Sequence, residues 1–308
     1  MPIRMGLQIP NFSYGTGVEL LYPTVIAQAQ EAEAAGYDSV FLMDHFYQLP
    51  GMGSPDQPML EAYTALGGLA AATQRVQLGT MVTGNSYRNP ALLAKAVTTL
   101  DVMSQGRAIL GIGTGWFEFE HESLGFEYGT FTDRFNKLGE ALQIIVPMLA
   151  GERPTFTGEH YRVKEAIAEP RFRDHLPLLI GGKGEKKTIP LAAKHFDHLN
   201  ISAGLDELPH KIEVVQRACE ELGRDPATLE TSSFVIALID DGATEDMIPE
   251  EMRANMMVGS AAHIAEQIKS RVFDVGVDGV IISPVTVNGY EPGKATALAE
   301  ALKPLIAG

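Results

Sequence analysis

A chain of 308 residues, 45% hydrophobic and 20% charged, carries enough apolar surface to bury a core, which excludes a disordered polypeptide and fits one large domain over 1–308. Its 24 basic and 39 acidic residues leave a net charge of −15, which repels polyanions and argues against a nucleic-acid partner, although backbone N–H groups and a lysine can still hold a small anion locally. No run approaches the ~20 apolar residues of a membrane span, the opening MPIRMGLQIP enters a strand without a secretory apolar region, and the lone Cys219 excludes an intramolecular disulfide, so a cytoplasmic protein with no membrane partner is expected.

Taken in order, short runs rich in β-branched residues fall at 3–9, 39–43, 76–82, 107–112, 178–180, 197–201, 233–239 and 279–283. Between them lie amphipathic stretches at 25–35, 91–103, 135–149, 191–195, 208–222, 261–275 and 295–305. Eight strand runs separated by crossover helices predict a closed (β/α)₈ TIM barrel rather than an open doubly wound sheet. AAGYDSV and DVGVDGV both place a glycine after a helix and an aspartate before a strand, as a left-handed helix end followed by a turn requires. The segment 152–173 departs from the repeat. There TFTGEHYRV alternates around Gly158 and predicts a hairpin inserted between the fourth helix and the fifth strand.

In such a barrel the chemistry gathers just past each strand. After the second strand stand Asp44 and His45, then the loop LPGMGSPDQP; a carboxylate and an imidazole there can orient a ligand and move protons near neutral pH. A turn cap with a packed histidine is the structural alternative. After the third strand, GTMVTGNSYRNP places Gly79 and Gly84 about the strand end, where backbone can approach a flat ligand, and Arg88, Asn89 and Pro90 open the next helix. After the fourth, GIGTGWFEFEHESLG has Trp116 where a dinucleotide fingerprint would need a glycine, so it is no Rossmann signal. It reads as a glycine shelf beside the single tryptophan, with Glu118, Glu120, His121 and Glu122 on a helix whose mixed spacing suggests a solvated face. After the fifth, IGGKGEKKT lacks Walker spacing, but Gly181, Gly182 and Gly184 with Lys183 form a phosphate cradle at a helix start. There is no H-x-H on the first strand and no H-E-x-x-H, so no metal site is expected; His195 and His198 read as structural.

GLQIPNF, SVFLMDHF, LGTMVTG, NPALLAKAVTTLDVMSQGRAILGIGTGW, GERPTFTGEHYRV and PLLIGGKGEKKTIPLAAKHFDHLN together resemble the luciferase-like monooxygenase superfamily, most of all its coenzyme F420-dependent oxidoreductase branch. The resemblance covers nearly the whole chain. It implies a deazaflavin across the barrel mouth, with Asp44 and His45 as the Asp-His pair beside it and His45 as the proton carrier. It assigns Thr80, Met81 and Val82 to the third-strand bulge behind the ring, where relatives carry a non-prolyl cis peptide. Thr114 and Gly115 match the fourth-strand shelf, Gly181 and Gly182 the phosphate contact, with Lys183 nearby. The family's sugar-phosphate dehydrogenase carries Glu where this chain has Trp116, and Trp where it has Leu49. Both changes make the substrate pocket more apolar and imply a small apolar organic substrate. The resemblance also implies a homodimer. The family's other branch, an FMN-dependent monooxygenase taking reduced flavin from a partner reductase, uses the same glycine cradle and is the alternative; a hydrolase or aldolase-type barrel acting through Asp44 with Glu118, or through Lys183, is a third reading.

Overall fold

The computed structural model describes residues 2–248, 253–254, 256–285 and 289–306. All eight predicted runs become strands: β1 Met5–Ile9, β2 Ser39–Leu42, β3 Gln77–Thr80, β4 Ala108–Gly113, β5 Leu178–Gly182, β6 His198–Ile201, β7 Glu230–Ile239 and β8 Gly279–Val285. Every residue of β1 to β4 is buried, as parallel strands covered on both faces require. Hydrogen bonding runs β7, β8, β1, β2, β3, β4, β5, β6 and returns from β6 to β7. The fold is therefore the (β/α)₈ barrel. No helix among the described residues is long and apolar enough to cross a membrane.

The chain forms two compact units, 1–41 with 180–308, and 42–179. Within the first, β1 lies parallel to β8 with Met5 beside Val280 and Leu7 beside Ile282. On its other edge β8 pairs with β7 from Ser232 beside Gly279 to Leu238 beside Val285. The repeated Gly-x-Asp signal does two jobs here. Gly36 and Gly276 take φ of 87° and 93°, the left-handed region that costs a side-chain-bearing residue about 1–2 kcal/mol. Asp38 then accepts the N–H groups of Arg4 and Met5 at 3.0 and 2.9 Å, and Asp278 accepts the N–H and hydroxyl of Thr231 at 2.9 and 2.7 Å. Each aspartate thus clasps the start of a neighbouring strand. The first helix, α1 Val18–Ala35, begins earlier than its predicted start and takes Pro23 inside it. A short strand, Met256–Gly259, adds to β7 and was not anticipated.

The second unit holds β3 parallel to β4, with Leu78 beside Ala108, and a two-residue extension Thr83–Gly84 beside Ile112 and Gly113. Its helices are α2 Ala62–Ala72, α3 Pro90–Met103, α4 Glu118–Leu124 and α5 Phe131–Leu149. Helix α3 starts as its sequence directs: the Asn89 side chain accepts the Ala91 N–H at 2.9 Å and Pro90 occupies the first helical position. Helix α2 was not predicted, because Gly67 and Gly68 at its centre lower helix propensity; Leu66 and Leu69, both fully buried, hold it. The predicted hairpin is present as Phe156–Thr157 antiparallel to Arg162–Val163. Its turn is held by Glu140, whose carboxylate accepts the N–H groups of Glu159, His160 and Tyr161.

β3 and β4 meet so closely at Gly111 that a Cβ there would stand 2.1 Å from the Thr80 carbonyl oxygen. Backbone cannot yield as a side-chain tip does. Gly111→Ala is expected to lose about 1–3 kcal/mol, the range for overpacking, read as a lower melting temperature; an unchanged one would show that these strands separate freely.

Candidate active site

Asp44 follows β2 directly and is buried. Its two carboxylate oxygens accept a bidentate pair of bonds from Arg88, 2.6 Å to Oδ2 and 2.8 Å to Oδ1, and Oδ2 also accepts the Gly84 N–H at 3.1 Å. Arg88 reaches on to Glu61 at 2.6 Å and stacks its guanidinium over the Tyr63 ring at 4.9 Å. Burial pushes the Asp44 carboxyl up, against the pull of Arg88 and of the Gly84 N–H. Arg88 is held above its ordinary value, because its two carboxylate partners outweigh its own desolvation. Asp44 accepts three N–H bonds and donates none, so the pair acts as one ionised unit. In the sequence Arg88 stands only as a lead into α3; its partnership with an aspartate 44 positions earlier leaves no local signal.

His45 sits beside that pair with its Nδ1 2.8 Å from Glu120 Oε2. The Glu120 side chain is 0% exposed and that of His45 12%. Glu120 also accepts the Tyr87 hydroxyl at 2.5 Å on Oε2, and the N–H groups of Phe46 and Tyr47 at 2.5 and 3.0 Å on Oε1. Burial works against its charge, but the bonds from His45, Tyr87 and the Tyr47 N–H outweigh it and hold the carboxyl below the usual range. This corrects the solvated-face reading of α4. Glu118 and Glu122 are exposed, whereas Glu120 and His121 are buried. His121 donates or accepts at both nitrogens, with Nδ1 2.7 Å from the Phe117 carbonyl and Nε2 2.7 Å from Ser86 Oγ. Burial lowers its imidazole, so the neutral ring gives its proton to the carbonyl and accepts from Ser86.

Thr80 is buried with its hydroxyl 2.6 Å from Thr83 Oγ1 and 3.2 Å from the Gly111 carbonyl. Met81 and Val82 follow, half-buried, joined by a cis peptide bond. Gly113 approaches Val82 so closely that a Cβ would lie 2.9 Å from a Val82 methyl. Thr114 and Gly115 form the turn after β4; Gly115 takes φ +79°, and its carbonyl accepts Arg134 Nε at 3.0 Å. Trp116 is 58% exposed, its ring edge-on to the His45 ring at 5.7 Å. Leu49 is half-buried. In the other unit Gly181 and Gly182 end β5, Gly182 with φ +147°, and a Cβ there would stand 3.0 Å from the Thr188 methyl. Lys183 is 54% exposed and pairs with Glu207 at 3.3 Å, so part of its charge is already answered. Among the described residues no three His, Cys, Asp or Glu side chains are grouped to hold a metal ion.

Residues 5–247 match the family model of luciferase-like monooxygenases. An F420-dependent glucose-6-phosphate dehydrogenase of Microbacterium testaceum is 37% identical over 191 residues, 61% of this chain and 53% of that protein. An F420-dependent hydroxymycolic acid dehydrogenase of Mycobacterium tuberculosis is 28% identical over 235 residues, 74% of this chain and 64% of that protein. The chain spans about half the length of the first of these relatives. Among solved structures, an F420-dependent secondary alcohol dehydrogenase in complex with an F420–acetone adduct superposes with a TM-score of 0.80 at 22% identity, over 99% of each chain. A monooxygenase of Streptomyces bottropensis gives 0.80 at 17% identity, over 98% of this chain and 99% of that one. At these identities the two structures share the fold.

Proposed function

This chain belongs to the luciferase-like monooxygenase family, and on that premise we propose that it is a coenzyme F420-dependent oxidoreductase that exchanges a hydride between the deazaflavin and a small apolar organic molecule. The observation that carries the reading is His45, an imidazole with one nitrogen tied to a buried carboxylate and no hydrogen bond from the other among the described residues. The F420-dependent relatives support the choice of cofactor.

The residues present suit a flat cofactor. Thr80 turns its hydroxyl to Thr83 and Gly111, leaving Met81 and Val82 as a half-buried apolar shelf. Asn85 Oδ1 is buried with no hydrogen-bond partner, an acceptor that a cofactor N–H or O–H would satisfy. Asp44, Thr80, Met81, Val82, Thr114 and Gly115 are proposed to hold the ring and its tail, and Gly181, Gly182 and Lys183 its phosphate. When bound, the deazaflavin supplies a two-electron hydride carrier. His45 takes a proton from a substrate hydroxyl or returns one to a carbonyl, and the Asp44–Arg88 unit fixes the backbone from which His45 projects. Trp116 and Leu49 offer the substrate apolar surface, which supports an apolar partner over a sugar phosphate. A homodimer in the cytoplasm completes the reading; the free, buried Cys219 is in keeping with a reducing compartment.

Titrations with coenzyme F420 and with FMN, followed by turnover on enones, imines, alcohols and sugar phosphates, test the proposal. F420 is expected to bind and to turn over with apolar substrates, and Trp116→Glu to reduce kcat/KM for those by about tenfold, the effect of about 1.4 kcal/mol. Tight FMN binding without F420 binding would overturn it in favour of the flavin-dependent branch.

A further inference from the structure

Glu120 does more than fill a buried position. Its Oε1 is taken by two backbone N–H groups and its Oε2 by Tyr87 and His45. Three of these contacts, from the two N–H groups and the Tyr87 hydroxyl, need an acceptor. Burial and the neighbouring Glu120 charge keep the Tyr87 phenol protonated, because both raise it, so Tyr87 is a donor. A carboxyl that accepts three such bonds and is held below the usual carboxylate range has no proton to give to His45 Nδ1 at 2.8 Å, so Nδ1 is the donor.

We propose that Glu120 is a positioning residue that fixes His45 in the Nδ1–H tautomer, so that Nε2 alone exchanges the proton in the reaction; the inference rests on the proposed role of His45 in proton transfer. A neutral histidine in water favours the opposite tautomer, with the proton on Nε2, in which the reactive nitrogen would be a donor without a lone pair. Glu120 reverses that preference. In the oxidising direction Nε2 accepts the substrate hydroxyl proton and the ring becomes an imidazolium, stabilised by Glu120 through the unchanged Nδ1–H bond. In the reducing direction the same Nε2–H is returned to the carbonyl oxygen. The remaining groups that face the pair are already committed: Arg88 to Asp44 and Glu61, His121 to Phe117 and Ser86, and Arg134 to Gly115. None of them competes for Nδ1.

The test uses nitrogen NMR of ring-labelled protein without cofactor, with the His45 signals assigned by their loss in His45→Gln. Wild type is expected to show a protonated Nδ1 and a bare Nε2 once the ring is neutral. Glu120→Gln should populate the Nε2–H form and lower kcat about 10²-fold, the lower end of what general acid–base catalysis contributes, with the KM for F420 within about twofold. Tyr87→Phe, which leaves the Glu120 carboxylate in place, should retain the Nδ1–H form. A wild-type ring protonated on Nε2 overturns the inference even if Glu120→Gln does not fold. Unchanged tautomer and kcat in a folded Glu120→Gln protein also overturn it. Absence of F420 binding would refute the proposed function alone, because the tautomer is read in the cofactor-free protein.

Discussion

Arg88→Met is expected to cost about 3–5 kcal/mol of folding stability, the range for removing one partner of a buried ion pair, and to lower the melting temperature by on the order of 10 °C. The Arg88 side chain is 13% exposed and that of Asp44 1%, so water cannot replace the lost guanidinium. Methionine keeps much of the volume between Phe46 and Tyr63, which isolates the loss of charge from the loss of packing. The pH dependence carries the sign. Burial already pushes the Asp44 carboxyl up; without Arg88 only the Gly84 N–H still opposes it. A carboxyl raised on folding costs stability in full above its folded value, and the cost is relieved as pH falls through that value toward the unfolded one. The variant should therefore recover stability relative to wild type as pH falls through the raised Asp44 value toward the ordinary carboxylate range. Asp44→Asn placed in the Arg88→Met background removes the stranded charge and should restore part of the loss. A pH-independent loss below about 1 kcal/mol would equate this pair with a surface salt bridge.

The same pair shows what the sequence could and could not reveal. Alternation of apolar runs, the Gly-x-Asp boundaries and the Asn89-Pro90 helix start are local signals, and each appears in the structure where local chemistry demands it. Asp44 and His45 could be singled out because a strand end in a barrel is a reactive place. Their partners could not. Arg88 lies 44 positions from Asp44 and Glu120 75 positions from His45, and pairing across such distances depends on how β2, β3 and β4 bring their following turns together. Glu120 was further hidden by its neighbours. Glu118 and Glu122 face solvent as an acidic run ordinarily does, and the burial of Glu120 and His121 becomes visible only once α4 is seated against Tyr87 and Ser86. One hint was present: Phe117 and Phe119 interleave with the acids, which a fully solvated helix face does not favour. Helix α2 was lost for a different reason, since its glycines argue against helix while two leucines, supplied with neighbours by the fold, decide for it.

His45→Gln is the variant with the largest expected effect on turnover. The glutamine amide can still donate to Glu120 Oε2, so the carboxylate keeps its partner and the N–H groups of Phe46 and Tyr47 keep theirs. What disappears is a ring nitrogen that can take up and return a proton. General acid–base catalysis contributes about 10²–10⁴-fold, and kcat is expected to fall by that factor while the affinity for F420 and the melting temperature stay close to wild type. The fall should be largest for substrates with poorly acidic hydroxyls, because these depend most on a base in the transition state, and smallest for activated ones. A variant that retains kcat would remove His45 from proton transfer and leave the Asp44–Arg88 unit and Tyr87 as the groups to test next. A variant that loses F420 binding instead would make His45 a cofactor ligand, with the proton carried elsewhere.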